Sequence, residues 1–353
     1  MNKDMHFDSR GYSLIEILVV IVILGVISAG LYSTFDSGQK EYGVRQATIS
    51  MQQQARLAMM NLEKNLKKIG YGFTNMGTLK FNVYDSGAAT TWTMVSCTDN
   101  VVDPSFNNAD KTDSISFRYY EGPLDVESDV TLRADHPDTS SNTPVTSSDG
   151  FSMGDFYLIF DPNDPTKPGS LLQVTNPDTH AAAGDSVIHN SGLSPYNPPG
   201  GANHFPKSPP FASAGYPVGS IVLNLGSNNF AWCRYYVDTN KNLVEQRQSA
   251  PSETITSRIV AVGIEDLQLK YQFKDGTWRD APSDVDATYD IENLRTVRVS
   301  IIARTEKPDN KFTASTSFQM TGNNGNGLAY SGGGYRRLVL SSIISLRNMS
   351  LRK

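Results

Sequence analysis

The sequence predicts an α+β protein, with one long N-terminal helix packed on an antiparallel β-sheet head that carries long loops. Three observations predict it. Ile17 to Phe35 run 19 residues without a charge. Beyond them apolar residues recur at steps of three and four as far as Ile69. From about Thr78 the period falls to two, in runs rich in Val, Ile, Tyr and Phe.

The 353-residue chain carries 31 Lys+Arg against 36 Asp+Glu, a net charge of −5, and only 19% of it is charged. Globular proteins are nearer about a quarter charged, so this surface leans on uncharged Ser, Thr, Asn and Gly, as suits an exported protein. No run of Lys or Arg occurs, which argues against a nucleic-acid partner bound through phosphate neutralisation. The 39% hydrophobic content supports a sizeable core, but much of it sits in the first segment.

At 1.5 Å per residue that apolar run covers a bilayer core of roughly 30 Å, so one membrane-spanning helix is expected. Lys3 and Arg10 precede it and hold the short N-terminus in the cytoplasm, which puts the body outside. A removable signal peptide fits less well. The run exceeds the usual apolar stretch of about 7–15 residues, and Ser28-Ala29-Gly30 is the nearest cleavage site. Glu16 decides the matter, because a carboxylate at the head of a membrane helix costs on the order of 2.5–3.5 kcal/mol and needs a partner.

Glu16 closes the string Arg10-Gly11-Tyr12-Ser13-Leu14-Ile15-Glu16. A charged leader ending in Gly, then an aromatic, a small hydroxyl residue, two aliphatics and Glu, resembles the type IV prepilin signal. The resemblance implies cleavage by a prepilin peptidase between Gly11 and Tyr12 and N-methylation of Tyr12, which replaces the commoner Phe. Cleavage creates an α-ammonium on Tyr12, four residues before Glu16. Parallel packing of helices then brings one subunit's ammonium to a neighbour's carboxylate, making Glu16 a register device for assembly.

The outer part of the helix is one-sided. Val44, Thr48, Met51, Ala55, Met59, Leu62, Leu66 and Ile69 form a stripe that reads as core, while Lys40, Arg45, Gln52, Arg56, Glu63, Lys64 and Lys67 fall largely elsewhere. One helix from about Ser13 to Ile69 would be roughly 85 Å long, so its outer half must be the spine of a head. No proline precedes Pro104, although Gly25, Gly30, Gly38 and Gly43 loosen the helix. It ends at Gly70-Tyr71-Gly72 after Lys64, Lys67 and Lys68, cations that suit a helix C-terminus. Within residues 54–71, Ala55-Arg56, Leu62, Leu66, Lys67 and Gly70-Tyr71 resemble the PilW group of minor pilins. Asn65 stands where an acid is frequent in that group, and Ile69 where Ala is. The expected division is leader 1–11, transmembrane and assembly half 12–35, amphipathic half 36–72 and β-rich head 73–353.

Strands are expected at 78–84, 114–120, 156–160, 170–174, 219–225, 229–237, 242–247, 257–273, 295–304, 311–320 and 335–346. The stretches 259–273 and 335–348, with Arg336-Arg337 and Arg347-Asn348, resemble PilW-type endings. Residues 130–150 and 190–220 are polar, Ser-rich or Pro/Gly-rich excursions, either solvated or touching a partner. Cys97 and Cys233 are the two cysteines. With the head outside the reducing cytosol, they are expected either to form a disulfide or to be two buried thiols.

No G-x-S-x-G, P-loop, H-E-x-x-H or C-x-x-C occurs, and the five histidines never fall at ligand spacing. No enzyme activity, cofactor or metal is therefore expected; the acidic runs at 161–164 and 284–290 read as solvated turns rather than Ca²⁺ loops. The resemblance implies a minor pilin that primes type IV pilus assembly in a minor-pilin complex at the filament tip. Its implied partners are the prepilin peptidase, other minor pilins, the major pilin and the inner-membrane assembly platform. Before assembly it would sit in the inner membrane with a periplasmic head, then on the pilus at the cell surface. The rivals are a J-type pseudopilin of a type II secretion system and a pilus-borne adhesin or DNA-uptake subunit.

Overall fold

The computed structural model describes residues 13–73, 79–85, 88–98, 112–122, 130–136, 142–164, 167–177, 184–190, 192–197, 215–282, 290–309, 312, 318–319, 329–330 and 334–350. Helix α1 (Leu14–Leu66) is followed by β1 (Lys80–Asp85), β2 (Ala88–Thr93), β3 (Val95–Thr98), β4 (Ser114–Tyr120) and β5 (Asn142–Pro144). Then come β6 (Phe156–Phe160), β7 (Gly169–Gln173), β8 (Asn176–Pro177), β9 (Ser186–Ile188), β10 (Ile221–Gly226), β11 (Phe230–Val237) and β12 (Asn242–Gln248). The last third holds β13 (Thr256–Val262), β14 (Ile264–Phe273), β15 (Trp278–Arg279), β16 (Leu294–Arg304), β17 (Phe318–Gln319), β18 (Ala329–Tyr330), β19 (Arg337–Ser345) and one helical turn, α2 (Arg347–Ser350). The chain divides into two compact units, Met1–Ser50 and Met51–Lys353.

The described part of the first unit is helical and bare. Leu14 is 82% exposed, Ile21 64% and Leu31 67%, and the helix is long and apolar enough to cross a membrane. A helix suits that medium because its backbone polar groups pair within the segment. Charge returns just past the apolar run as two ion pairs one turn apart, Asp36 with Lys40 and Glu41 with Arg45. In each the acid lies N-terminal to the base, the favourable order on a helix.

In the second unit the expected stripe is buried. Met51, Ala55, Ala58, Met59, Leu62 and Leu66 face a core shared with Phe81, Phe117, Tyr235, Leu267, Val299 and Ile344. Three sheets contribute, in strand orders β10-β6-β7-β1-β2, β13-β12-β11-β4-β3 and β15-β14-β16-β19. All their pairings are antiparallel except β1 with β7. Every residue of β6 is buried, because Phe156, Leu158 and Phe160 face the main core while Tyr157 and Ile159 face a smaller one with Leu132, Val145, Leu172, Val187 and Val222. A strand covered on both faces reads as a continuous apolar run, which is how FYLIF appears in the sequence.

The strands at 114–120 and 156–160 fall at their expected bounds. The run 257–273 resolves into β13 and β14, separated by Gly263 at φ +70°. A Cβ there would lie 2.7 Å from the carbonyl oxygen of Arg304, so both the turn and the close approach require glycine. Of the strand expected at 311–320, only 312 and 318–319 are described, and of the 190–220 excursion only 190, 192–197 and 215–220.

The C-terminal end of α1 is closed by the far end of the chain. Gly70 adopts φ +72°, the left-handed conformation that commonly terminates helices. Asn348 then donates from Nδ2 to the carbonyls of Lys67 at 3.0 Å and Ile69 at 3.1 Å. Those acceptors belong to the end groups that helices leave unpaired. Asn348→Ala should cost about 1–2 kcal/mol in a urea melt; an unchanged midpoint would show that water replaces the amide at no cost.

Candidate functional site

The α1 N-terminus is built as a capping box. Ser13-Leu14-Ile15-Glu16 has the hydroxyl and acid spacing of that motif, and the Ser13 backbone N–H donates to Glu16 Oε2 at 2.8 Å. The Ser13 carbonyl in turn accepts from the Glu16 N–H at 3.0 Å. The acid is thus held back over the helix start, where the positive end of the macrodipole favours it, and among the described residues no donor is bonded to Oε1. Sequence reasoning singled out Glu16 but passed over Ser13 as its partner, although the three-residue spacing signals it. Gly11 and Tyr12 lie outside the described residues.

Cys97 and Cys233 are not joined, so of the two alternatives the disulfide is the one the structure does not form. Cys97 on β3 pairs opposite Ile115 of β4, and Cys233 on β11 opposite Phe117 of the same strand. β4 therefore runs between them. Two strand spacings are about 9.6 Å before the register offset is added, beyond the roughly 7 Å that a disulfide spans between Cα atoms. Burial pushes the Cys233 thiol up to about 12, so it is a packed, unreactive group.

The second unit carries two buried polar clusters. In the first, Glu265 accepts from Arg337 Nε at 2.6 Å and Nη2 at 3.1 Å, and from Arg304 Nη1 at 3.5 Å. Arg304 and Arg337 stand directly opposite each other on β16 and β19, so the carboxylate separates two cations. It reaches them because the β14–β16 register shifts between Ile264 and Asp266, a bulge that re-aims the side chain between them. In the second cluster, Asn65 of α1 donates to the Tyr235 hydroxyl at 2.5 Å, Tyr235 to Glu245 at 2.5 Å, and Arg258 to Glu245 at 2.7 Å. Burial, with Cys233 and Glu245 adding to it, holds the Tyr235 pKa well above the usual phenol range, so the phenol stays a donor. Asn65, which departs from the acid frequent in the resembled group, makes a neutral bond here where an acid would face Glu245 across one phenol.

Two family models match the two ends of this arrangement. The Prokaryotic N-terminal methylation motif covers residues 7–32, which include the Ser13–Glu16 cap. Type IV Pilus-assembly protein W covers residues 234–348, from β11 to the Asn348 latch and including Glu265, Arg304 and Arg337. The resemblance noted over residues 54–71 lies outside both. No curated protein matches the chain. Among solved structures, a type IV-like pilin from Thermus thermophilus matches at 11% identity and a TM-score of 0.34, over 84% of this chain and 97% of its own. The chain thus carries a match to the methylation motif on its apolar helix and a match to the PilW domain across its last strands.

Proposed function

We propose that the protein is a minor pilin, cut between Gly11 and Tyr12 by a prepilin peptidase, methylated on Tyr12, and built with other minor pilins and the major pilin into a complex that primes type IV pilus assembly. The observation that carries this reading is the methylation motif over residues 7–32 on a bare apolar helix that holds Glu16 in its first turn. The single span and the leader cations support an inner-membrane precursor with its N-terminus in the cytoplasm and its head in the periplasm, docked on the assembly platform. A head of this size is best accommodated at the filament tip, where no subunit follows.

The name of the matched domain favours pilus assembly over secretion. Deleting the gene and scoring surface pili separately from exoprotein secretion tests the choice. Loss of pili with normal secretion is the expected result. Normal pili with blocked secretion would replace this reading by the J-type pseudopilin, and normal pili that no longer attach or take up DNA by the adhesin or uptake subunit. Gly11→Ala should leave full-length precursor in the membrane, and N-terminal sequencing that still begins at Tyr12 would refute the cleavage site.

A further inference from the structure

The second unit holds a cavity of about 800 Å³ that no part of the assembly reading uses. It opens between the end of α1, the end of β4 and the start of α2, and is lined by Lys67, Lys68, Tyr71, Tyr119, Glu121 and Arg347, among others. Its size falls within the roughly 300–1,000 Å³ that takes a ligand of a few rings.

Among the described lining residues cations outnumber acids, Lys67, Lys68 and Arg347 against Glu121. Glu121 is the one acid among these described residues, and it is already engaged by Lys68 at 3.3 Å and by Arg247. Lys68 also lies 4.7 Å from the centre of the Tyr119 ring, held against the wall. Lys67 and Arg347 are both exposed, and no carboxylate among the described residues is bonded to either. The helix C-terminus would ordinarily answer such cations with bare carbonyls, but Asn348 has taken those of Lys67 and Ile69. The half-buried Tyr71 ring stands beside them, apolar on its face and polar at its tip.

Two exposed cations beside an aromatic face match a ring-shaped ligand that carries oxyanions. We infer that this cavity binds an acidic saccharide, with the sugar ring against Tyr71 and its carboxylate between Lys67 and Arg347. A single-stranded nucleic acid needs successive open aromatic faces, and here Tyr119 and Tyr120 are buried, leaving only Tyr71. The inference stands on the second unit alone, independent of pilus assembly.

Titrating the full-length protein in a neutral detergent by calorimetry, with trigalacturonate and with uncharged maltotriose, tests it. Trigalacturonate should bind and maltotriose should not. Lys67→Gln with Arg347→Gln should weaken trigalacturonate by roughly tenfold or more, the scale of charge-assisted bonds, with the melting temperature unchanged because both side chains are exposed. Tyr71→Ala should weaken it separately. Equal affinity for the two sugars, wild-type affinity in the double variant, or binding of an oligothymidylate in place of trigalacturonate would each overturn the inference.

Discussion

Glu265→Leu is expected to destabilise the second unit by about 3–5 kcal/mol, the usual cost of stripping the partner from a buried ion pair. The side chains of Glu265 and Arg337 are only 7% and 5% exposed, so water cannot replace the lost bonds. What remains is worse than one orphan charge, because Arg304 and Arg337 stand opposite each other across β16 and β19. A fall in melting temperature on the order of 10 °C should follow. Arg337→Met should cost less, since Glu265 keeps Arg304 at 3.5 Å. The double variant Glu265→Leu, Arg337→Met should recover part of the loss, as neighbouring members of one network are not additive. A Glu265→Leu protein melting within a degree or two of wild type would show that the cluster is solvated in solution.

The second large effect is expected at Glu16, on assembly rather than on stability. Glu16→Ala should insert and be processed, while its incorporation into sheared filaments falls to background on an immunoblot. Two losses are mixed in that variant: the cap on the Ser13 N–H, worth about 1 kcal/mol, and the charge that the proposed assembly would set against a neighbour's ammonium. Glu16→Gln separates them, because its amide oxygen still accepts from Ser13 at 2.8 Å geometry while carrying no charge. If charge pairing sets the register, Gln fails as Ala does. Wild-type incorporation of the Gln variant would assign the residue to helix capping alone.

What the sequence could disclose depended on whether a pattern was local. The stripe from Met51 to Leu66 and the runs SISFRYY and FYLIF are local, and the structure follows them. β2 was invisible because AATTWT is largely exposed and owes its pairing to β1 rather than to apolar alternation. β5, β8 and β9 are two or three residues long, below the length at which any period can be seen. The choice between a disulfide and two separate thiols was open for a related reason: whether two thiols meet depends on which strand lies between them, and nothing near Cys97 or Cys233 encodes β4. The Glu265 cluster required both a bulge and a partner 72 residues away, whereas the Ser13–Glu16 cap was within reach of spacing alone.

The Asn348 latch also has a consequence in time. Its bond to Lys67 joins groups 281 residues apart, so during synthesis at about 5–20 residues per second the end of α1 waits roughly 14–56 s for its cap. Through that interval the amphipathic stripe also lacks β14, β16 and β19, the strands that supply Leu267, Val299 and Ile344 to its core. A chain that stalls before residue 348 therefore presents an open, greasy helix to whatever lies nearby. Quality control acting on that exposed stripe would sense an incomplete chain directly, without reading any other part of the protein.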